Sequence, residues 1–532
     1  MGSRNSSRDN ASGVRDDETG ENEPDLPTIL AYLLRSGQLR LLQSDDVMDS
    51  DSDMTDEDED LADIIDRPPC SAPKTAADLI ADRQKIEESK INHEMVLTNG
   101  KYSTKPSTRY SVPKLLQMRE AGQCGYNGRF SRGDCNTVSS RYLPNFMAAM
   151  ARFGHKAFCG THSEDGSVFV TACQDQLIRL YNTTKGWFDN FKTVVARDVG
   201  WSILDTAFSP DGHYIIYSSW SDCIHICNVH GEHNVHDALN LEPEGDRFCA
   251  FSVQFSSDSK EIVAGANDGC MYIFDREQNK RTLKIETHED DVNAVAFADR
   301  TSQIIYSGGD DGMVKVWDRR TLSEASPEPV GKLAGHSDGI TYIDSKKDNY
   351  HLISNSKDQS IKLWDTRKFS SSDCVEAARR AVAQQQWDYR WQTFPQSARR
   401  NRSIAGDPSL MTYRGHSVLQ TLIRCRFSPE FTTSQQYIYT GCSSGAVVIY
   451  DLLTGDIVTK LKNRQRACVR DVSWHPYDFS IVSTSWDGSI GKWEYYNPHP
   501  PEGNRSTFQF PHFDGADDDL RAGRRPMIVI DI

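Results

Sequence analysis

From about residue 154 the chain alternates apolar and polar positions in short runs, separated by Asp-Gly and Ser-Pro turns. Period-two alternation predicts β-strands, because successive side chains on a strand point to opposite faces. Six segments repeat the pattern small-x-x-x-Asp/Ser-x-x-apolar-x-apolar-aromatic: TACQDQLIRLYN, GANDGCMYIFD, SGGDDGMVKVWD, SNSKDQSIKLWD, GCSSGAVVIYD and TSWDGSIGKWE. A seventh, SSWSDCIHICN, carries Cys227 at the aromatic place. The equivalent positions Tyr181, Cys227, Phe274, Trp317, Trp364, Tyr450 and Trp493 lie 46, 47, 43, 47, 86 and 43 residues apart. The interval of 86 holds one repeat of about 43 and an insertion at about 368–410. A single repeat would expose two apolar faces, so the repeats must close into a ring.

Seven units of this period resemble the WD-repeat family, which implies an all-β, seven-bladed WD40 β-propeller with four strands per blade. The propeller is placed at 130–496, with a strand from about 130–153 completing the last blade. Five units keep an Asp six residues before the aromatic place: Asp175, Asp268, Asp311, Asp358 and Asp487; Ser221 and Ser444 replace it in the others. In the family this Asp joins a buried network with a histidine, a strand Ser/Thr and the Trp. Two blades carry complete sets: His288, Ser307, Asp311 and Trp317, then His336, Ser354, Asp358 and Trp364. Each such hydrogen bond contributes about 1 kcal/mol net. These residues serve the fold.

Outside the repeats the texture differs. Apolar residues at helical spacing in LPTILAYLLRSGQLRLL predict a short helix at 26–42. The run Asp45–Asp66, with SDSDMTDEDED at its centre, repels itself and stays extended. Residues 67–110 read as polar and irregular, so 1–110 is expected to be largely disordered, as is the tail 497–532. SVPKLLQMREAGQ, with Pro near its start and Gly near its end, predicts a helix at 111–123.

Charge sharpens this division. Of the formal net charge of −16, residues up to Asp66 carry −14, from 19 acidic and 5 basic side chains. The remainder is near neutral, which argues against direct nucleic acid binding. No apolar run approaches the roughly 18 residues of a membrane span, and the polar N-terminus excludes a secretory signal. Thirteen cysteines, mostly in strand-like runs, suit reduced buried thiols in a cytoplasmic or nuclear protein.

Two patterns imitate chemistry. Gly335-His336-Ser337-Asp338-Gly339 matches a nucleophile elbow, but it lies at a blade turn with no helix pattern beside it. Cys223, His225 and Cys227, followed by His230, His233 and His236, are dense in metal ligands. Adjacent same-face positions on one strand rarely converge on a tetrahedral ion, so buried thiols beside a polar loop are expected instead. No catalytic residue, cofactor or metal follows.

The residues after the blade aromatics point to binding. Trp317-Asp318-Arg319-Arg320 and Trp364-Asp365-Thr366-Arg367 both read W-D-x-R at the end of a third strand. An Arg projecting from the propeller rim there offers a donor fork for carboxylates and carbonyls. A third match, Trp387-Asp388-Tyr389-Arg390, lies in the insertion without a strand before it and is read as coincidence. The insertion, with WDYRWQTFPQSARRNR, is either a surface loop or a substrate-contacting element.

The doubled box resembles the WD-repeat substrate receptors of cullin-4 RING ubiquitin ligases. KAFCG, ACQDQLIRLY, ARDVGWS, HEDDVNAVAFAD and VRDVSWHP carry a closer resemblance to the WD-repeat protein 23 family of cullin-4-associated factors. The resemblance implies a non-catalytic substrate-recognition subunit in the cytoplasm and nucleus. It would dock through Arg320, Arg367, Asp318 and Asp365 on a propeller adaptor of the damage-specific DNA-binding protein subunit one type. Cullin-4 and the RING subunit follow through that adaptor. Leu115, Leu116, Met118 and Arg119 would form a helix face that inserts into it; the same helix could instead cover the propeller. The alternative is a WD40 scaffold for complex or chromatin assembly without a ligase role.

Overall fold

The computed structural model describes residues 76–99, 112–122, 130 and 132–497, except 187, 232–234, 245–246, 396–403 and 463–464. The expected helix at 26–42, the acidic run and the tail beyond Asn497 lie outside the described residues. Seven four-stranded antiparallel sheets form the blades, at 157–195, 205–240, 250–286, 292–334, 340–414, 425–461 and 469–494. First strands are innermost and pack on the first or second strand of a neighbouring blade, so the ring closes between blades seven and one. Blade seven draws its fourth strand from before blade one: β1 (Phe146–Arg152) pairs antiparallel with the third strand of blade seven, β2 (Ser489–Glu494).

Burial follows position in the blade. Second strands such as Val168–Cys173 and His351–Ser356 are buried throughout, because both of their faces meet a neighbouring blade. Outer strands such as Asp189–Val195 alternate between half-buried and exposed. Trp317, Trp364 and Trp493 are all at most 1% exposed between blades.

The two expected networks are formed. The His288 ring contacts Asp311 at 2.9 Å and Ser307 at 2.8 Å, and Trp317 donates to Ser307 at 2.9 Å. The His336 ring contacts Asp358 at 3.0 Å and Ser354 at 2.7 Å, and Trp364 donates to Ser354 at 2.7 Å. Blade seven builds a third version that the histidine pattern concealed: Trp493 donates to Ser483 at 2.8 Å and Ser483 donates to Gln465 at 2.8 Å. The inner strands add a buried ionic network. Arg424 of blade six pairs with Asp205 of blade two at 2.6 Å and with Asp471 of blade seven at 3.1 Å.

Two expectations are corrected. The irregular reading of 67–110 fails over 76–99, where α1 (Ala76–Glu87) and α2 (Lys90–Asn99) form. Charged and polar residues together fill most positions there and hide the few that matter, Ile86, Ile91 and Met95, which are buried with Leu452 and Leu453 of blade six. The insertion is also partly helical. After the expected helix α3 (Val112–Glu120) and α4 (Arg132–Ser139), α5 (Ser372–Ala383) opens on Ser371, whose hydroxyl accepts from the Cys374 N–H. This helix lies beside the Gly335–Gly339 turn, which was read as having no helix near it: the Gln385 amide donates to the Ser337 carbonyl at 3.2 Å.

Candidate docking face

Strands alternate in direction, so loops joining first to second and third to fourth strands emerge on one face of the ring. Both W-D-x-R boxes follow third strands and belong to this face. In blade four the chain turns at Asp318, whose carboxylate accepts the Arg320 backbone N–H at 3.0 Å and its guanidinium at 2.9 and 2.7 Å. Blade five repeats the geometry: Asp365 accepts the Arg367 N–H at 3.0 Å and its guanidinium at 2.8 and 2.9 Å. The box is therefore a local device in which one carboxylate fixes the turn and orients the fork. Neither arginine simply projects from the rim; each folds back onto its own aspartate. Asp318 is held below the usual carboxylate range by its hydrogen bonds from Arg320; Asp365 is lowered too, its bonds to Arg367 outweighing burial.

The surroundings of the boxes differ. The Arg320 side chain is 68% exposed, that of Arg367 only 25%. Tyr350 places its ring 4.4 Å from the Arg367 guanidinium, and the His351 Nε2 lies 3.4 Å from it. The intervening Arg319, of no expected role, pairs with Glu261 of blade three at 2.6 Å.

Two helices, α1 and α4, contact the same face. Arg83 of α1 donates to the Thr454 carbonyl at 3.1 Å and pairs with Asp456 at 2.7 Å, both in a loop between third and fourth strands. Asn136 of α4 donates to Gln436 at 2.6 Å. Along α3 the proposed inserting face is split: Leu115 is buried, Met118 half-buried, and Leu116 and Arg119 exposed, with Arg119 5.1 Å from the Phe130 ring.

The WD domain, G-beta repeat family matches residues 279–318, 327–365 and 455–494. The chain is 44% identical to the LEC14B protein of Lithospermum erythrorhizon over 413 residues, 75% of this chain and 86% of that one. It is 42% identical to the DDB1- and CUL4-associated factor 11 homolog of Caenorhabditis elegans over 409 residues, 75% and 71% of the two chains. The LEC14B homolog of Prunus armeniaca is 43% identical over 396 residues, 72% and 82%. The chain belongs to this family.

Two repeat matches in this LEC14B and factor 11 family chain end on the box aspartates Asp318 and Asp365. Arg320 and Arg367 stand two residues beyond, outside what the generic repeat prescribes.

The opposite face of this family member carries the insertion. Its start runs along the outer strand of blade four, where the Ser370 N–H donates to the Lys332 carbonyl at 2.9 Å. Cys374 and Ala378 of α5 pack against Ala334. The tip then folds over the ring: Trp387 donates to Asp338 at 3.0 Å, and Lys357 lies 4.4 Å from the Tyr389 ring while pairing with Asp310 at 2.7 Å. Asp338, Lys357, Trp387 and Tyr389, with Asp388 and Arg390, line a cavity of about 240 Å³. The carboxyls of Asp338 and nearby Asp291 are pushed up to about 6 by burial first and by neighbouring aspartates second. Across the same face Trp201 and Trp220 are exposed, and Phe158 contacts both Trp201 and Trp486, at 5.3 and 5.5 Å.

The metal-like cluster of blade two disperses. His225 is buried and contacts Asp198 at 3.0 Å, Cys227 is buried, and His236 contacts Tyr217 at 2.8 Å; His233 lies outside the described residues. Among the described residues no helix is long and apolar enough to cross a membrane.

Proposed function

We propose that this chain is the substrate-recognition subunit of a cullin-4 RING ubiquitin ligase. The relatives named DDB1- and CUL4-associated factor 11 supply the partners, and DDB1 is the propeller adaptor on which the chain docks. The observation that carries the reading is the pair of W-D-x-R boxes on one face, in adjacent blades, with arginines the repeat itself does not require. Interface anchors are enriched in Arg, whose planar fork matches carboxylates and carbonyls. The inserting helix α3 sits in the segment before the propeller, with Leu116 and Arg119 exposed for contact.

A protein substrate binds the opposite face, where the insertion tip and the aromatic residues Trp201 and Trp220 are exposed or line a cavity. The receptor performs no chemistry itself; it raises the substrate's effective concentration beside the charged conjugating enzyme. It works in the cytoplasm and nucleus.

The test is a pull-down from cell extract with wild type and the Arg320→Ala/Arg367→Ala double variant, probed for DDB1. Capture by wild type and loss in a variant with unchanged thermal unfolding supports the reading. No capture by wild type overturns it and leaves a WD-repeat scaffold.

A further inference from the structure

Each blade ends in an outer strand with one side turned away from its sheet. Such an edge is a row of unpaired N–H and C=O groups, which proteins guard with a cover or with charge. The outer strand of blade four, Gly331–Ala334, is covered by the insertion through the bond from Ser370 to Lys332. That of blade five, Met411–Arg414, lies under α1 and α2, where Met411 and Tyr413 share a buried cluster with Ile86 and Ile91. Four others carry charge inside the strand: Lys192 in Asp189–Val195, Asp237 in His236–Asn240, Arg281 and Lys284 in Lys280–Glu286, and Lys460 in Ile457–Leu461. β1 has neither guard. Its sequence FMAAMAR meets a charge only at its last residue, Arg152, and among the described residues no strand lies on its side away from β2.

The exposed face of β1 is apolar as well. Met147, Ala149 and Ala151 turn inwards, whereas Phe146 and Met150 are 40% and 37% exposed. Three exposed tyrosines stand at the start of the strand: the Tyr142 ring lies 5.2 Å from that of Tyr495, and Phe146 lies 5.5 Å from Tyr496. Asn145 clasps the Tyr496 backbone, donating to its carbonyl at 3.1 Å and accepting its N–H at 2.8 Å. The segment after Asn497 therefore leaves the propeller beside the start of β1.

That segment contains one run of four or more apolar residues, Met527-Ile528-Val529-Ile530, followed by Asp531 and Ile532. β-branched residues in such a run favour an added strand, and Pro526 stands where a strand tolerates proline, just before it. Period-two alternation puts Ile528, Ile530 and Ile532 on one face and Met527, Val529 and Asp531 on the other. The 29 residues between Asn497 and Met527 span about 30 Å as a flexible chain. β1, with 7 residues, is about 23 Å long. A tether whose reach matches its target keeps the run at high effective concentration beside that edge.

We propose that residues 527–532 add to blade seven as a fifth strand on the free edge of β1. Ile528, Ile530 and Ile532 then cover Phe146 and Met150, and the outward N–H and C=O groups of β1 gain partners. The chain would thereby guard, with its own tail, the one outer strand left without charge or cover. This assignment is independent of the ligase reading.

The test is backbone hydrogen exchange of the full-length chain over 146–152. Ile528→Lys/Ile530→Lys, and separately Val529→Pro, are each expected to speed exchange there several-fold, leaving 280–286 and 457–461 unchanged. Both variants lie in the tail, so the propeller's thermal unfolding should stay close to wild type. Phe508→Ala/Phe510→Ala, in the same tail, should leave 146–152 unchanged. The assignment is overturned if both variants at 528–530 leave exchange over 146–152 as in wild type, or if only the Phe508/Phe510 variant speeds it. Light scattering supplies the remaining arm. A wild-type dimer that Met150→Lys converts to monomer would make a second copy the occupant of the edge and overturn the tail assignment; a monomer throughout accords with it.

Discussion

The two faces of this propeller are organised by different kinds of contact. On the box face each arginine fork is held within its own box: Asp318 grips Arg320 and Asp365 grips Arg367, two positions apart, although the helices there are held by distant residues such as Asp456. On the insertion face the determining contacts span blades, as when Trp387 reaches Asp338, 49 positions away, or Lys357 reaches Asp310, 47 away. A motif can record the first kind, since the turn and its reader travel together. It cannot record the second, because the partners sit in separate repeats.

The largest test of this division removes what both faces share. Arg424→Met takes the guanidinium from Asp205 in the ring centre and leaves Asp471 with Arg426 alone at 2.9 Å, and breaking such a buried pair costs about 3–5 kcal/mol. Chemical denaturation should register that loss, with hydrogen exchange accelerated on both faces together. If only one face loosens, the faces do not share a framework.

A smaller effect distinguishes blades. Trp364→Phe removes the donor to Ser354 and should cost about 1–3 kcal/mol in the same denaturation assay. Trp493→Phe should behave alike if Gln465 truly takes the histidine's part through Ser483. A negligible cost in blade seven alone would make its network a geometric accident.

Weaker still, Trp387→Ala should cost about 1 kcal/mol, the worth of one hydrogen bond. It should also speed proteolysis within 384–395 while leaving exchange over both boxes unchanged. Faster exchange at 318–320 would couple the two faces and break the comparison.

The smallest effect lies in the pH dependence. Asp291 has its carboxyl pushed up to about 6, so its charged form is penalised in the fold above that pH, and the penalty fades as pH falls through 6. Asp291→Asn should raise the thermal midpoint at pH 7.5, with the gain shrinking below pH 6 and gone only below the carboxyl's unfolded value near 4. Asp311 has the opposite sign: although burial raises it, the hydrogen bond and charge of His288 together with Lys315 and the Met313 N–H outweigh this and hold it at about 2. Its contribution is complete above its unfolded value near 4 and disappears as pH falls towards 2. A stabilising Asp291→Asn effect that is as large at pH 4 as at pH 7.5 would refute the assignment to that carboxyl.

How much was legible follows from the same distinction. The seven repeats, the two complete networks and both boxes could be read because each confines its chemistry to one repeat. Gln465 escaped because a glutamine is not sought where histidine is expected. Arg424 escaped because its partners, Asp205 and Asp471, belong to two other blades. The α1–α2 segment read as irregular because its apolar side needs only Ile86, Ile91 and Met95; Ile91 and Met95, four apart, were the one helical hint. For α5 the signal is present in the chain: Ser371 before an alanine-rich run is an ordinary helix start, and the aromatic stretch after it is the more conspicuous pattern.

The most direct measurement is hydrogen exchange of the full-length chain with and without purified DDB1. The account predicts protection at 112–120 and 318–320, on the box face, with exchange unchanged at 384–395 and 198–203 on the insertion face. Protection confined to the insertion face, with both boxes unaffected, would contradict the assignment of the docking face and with it the central claim.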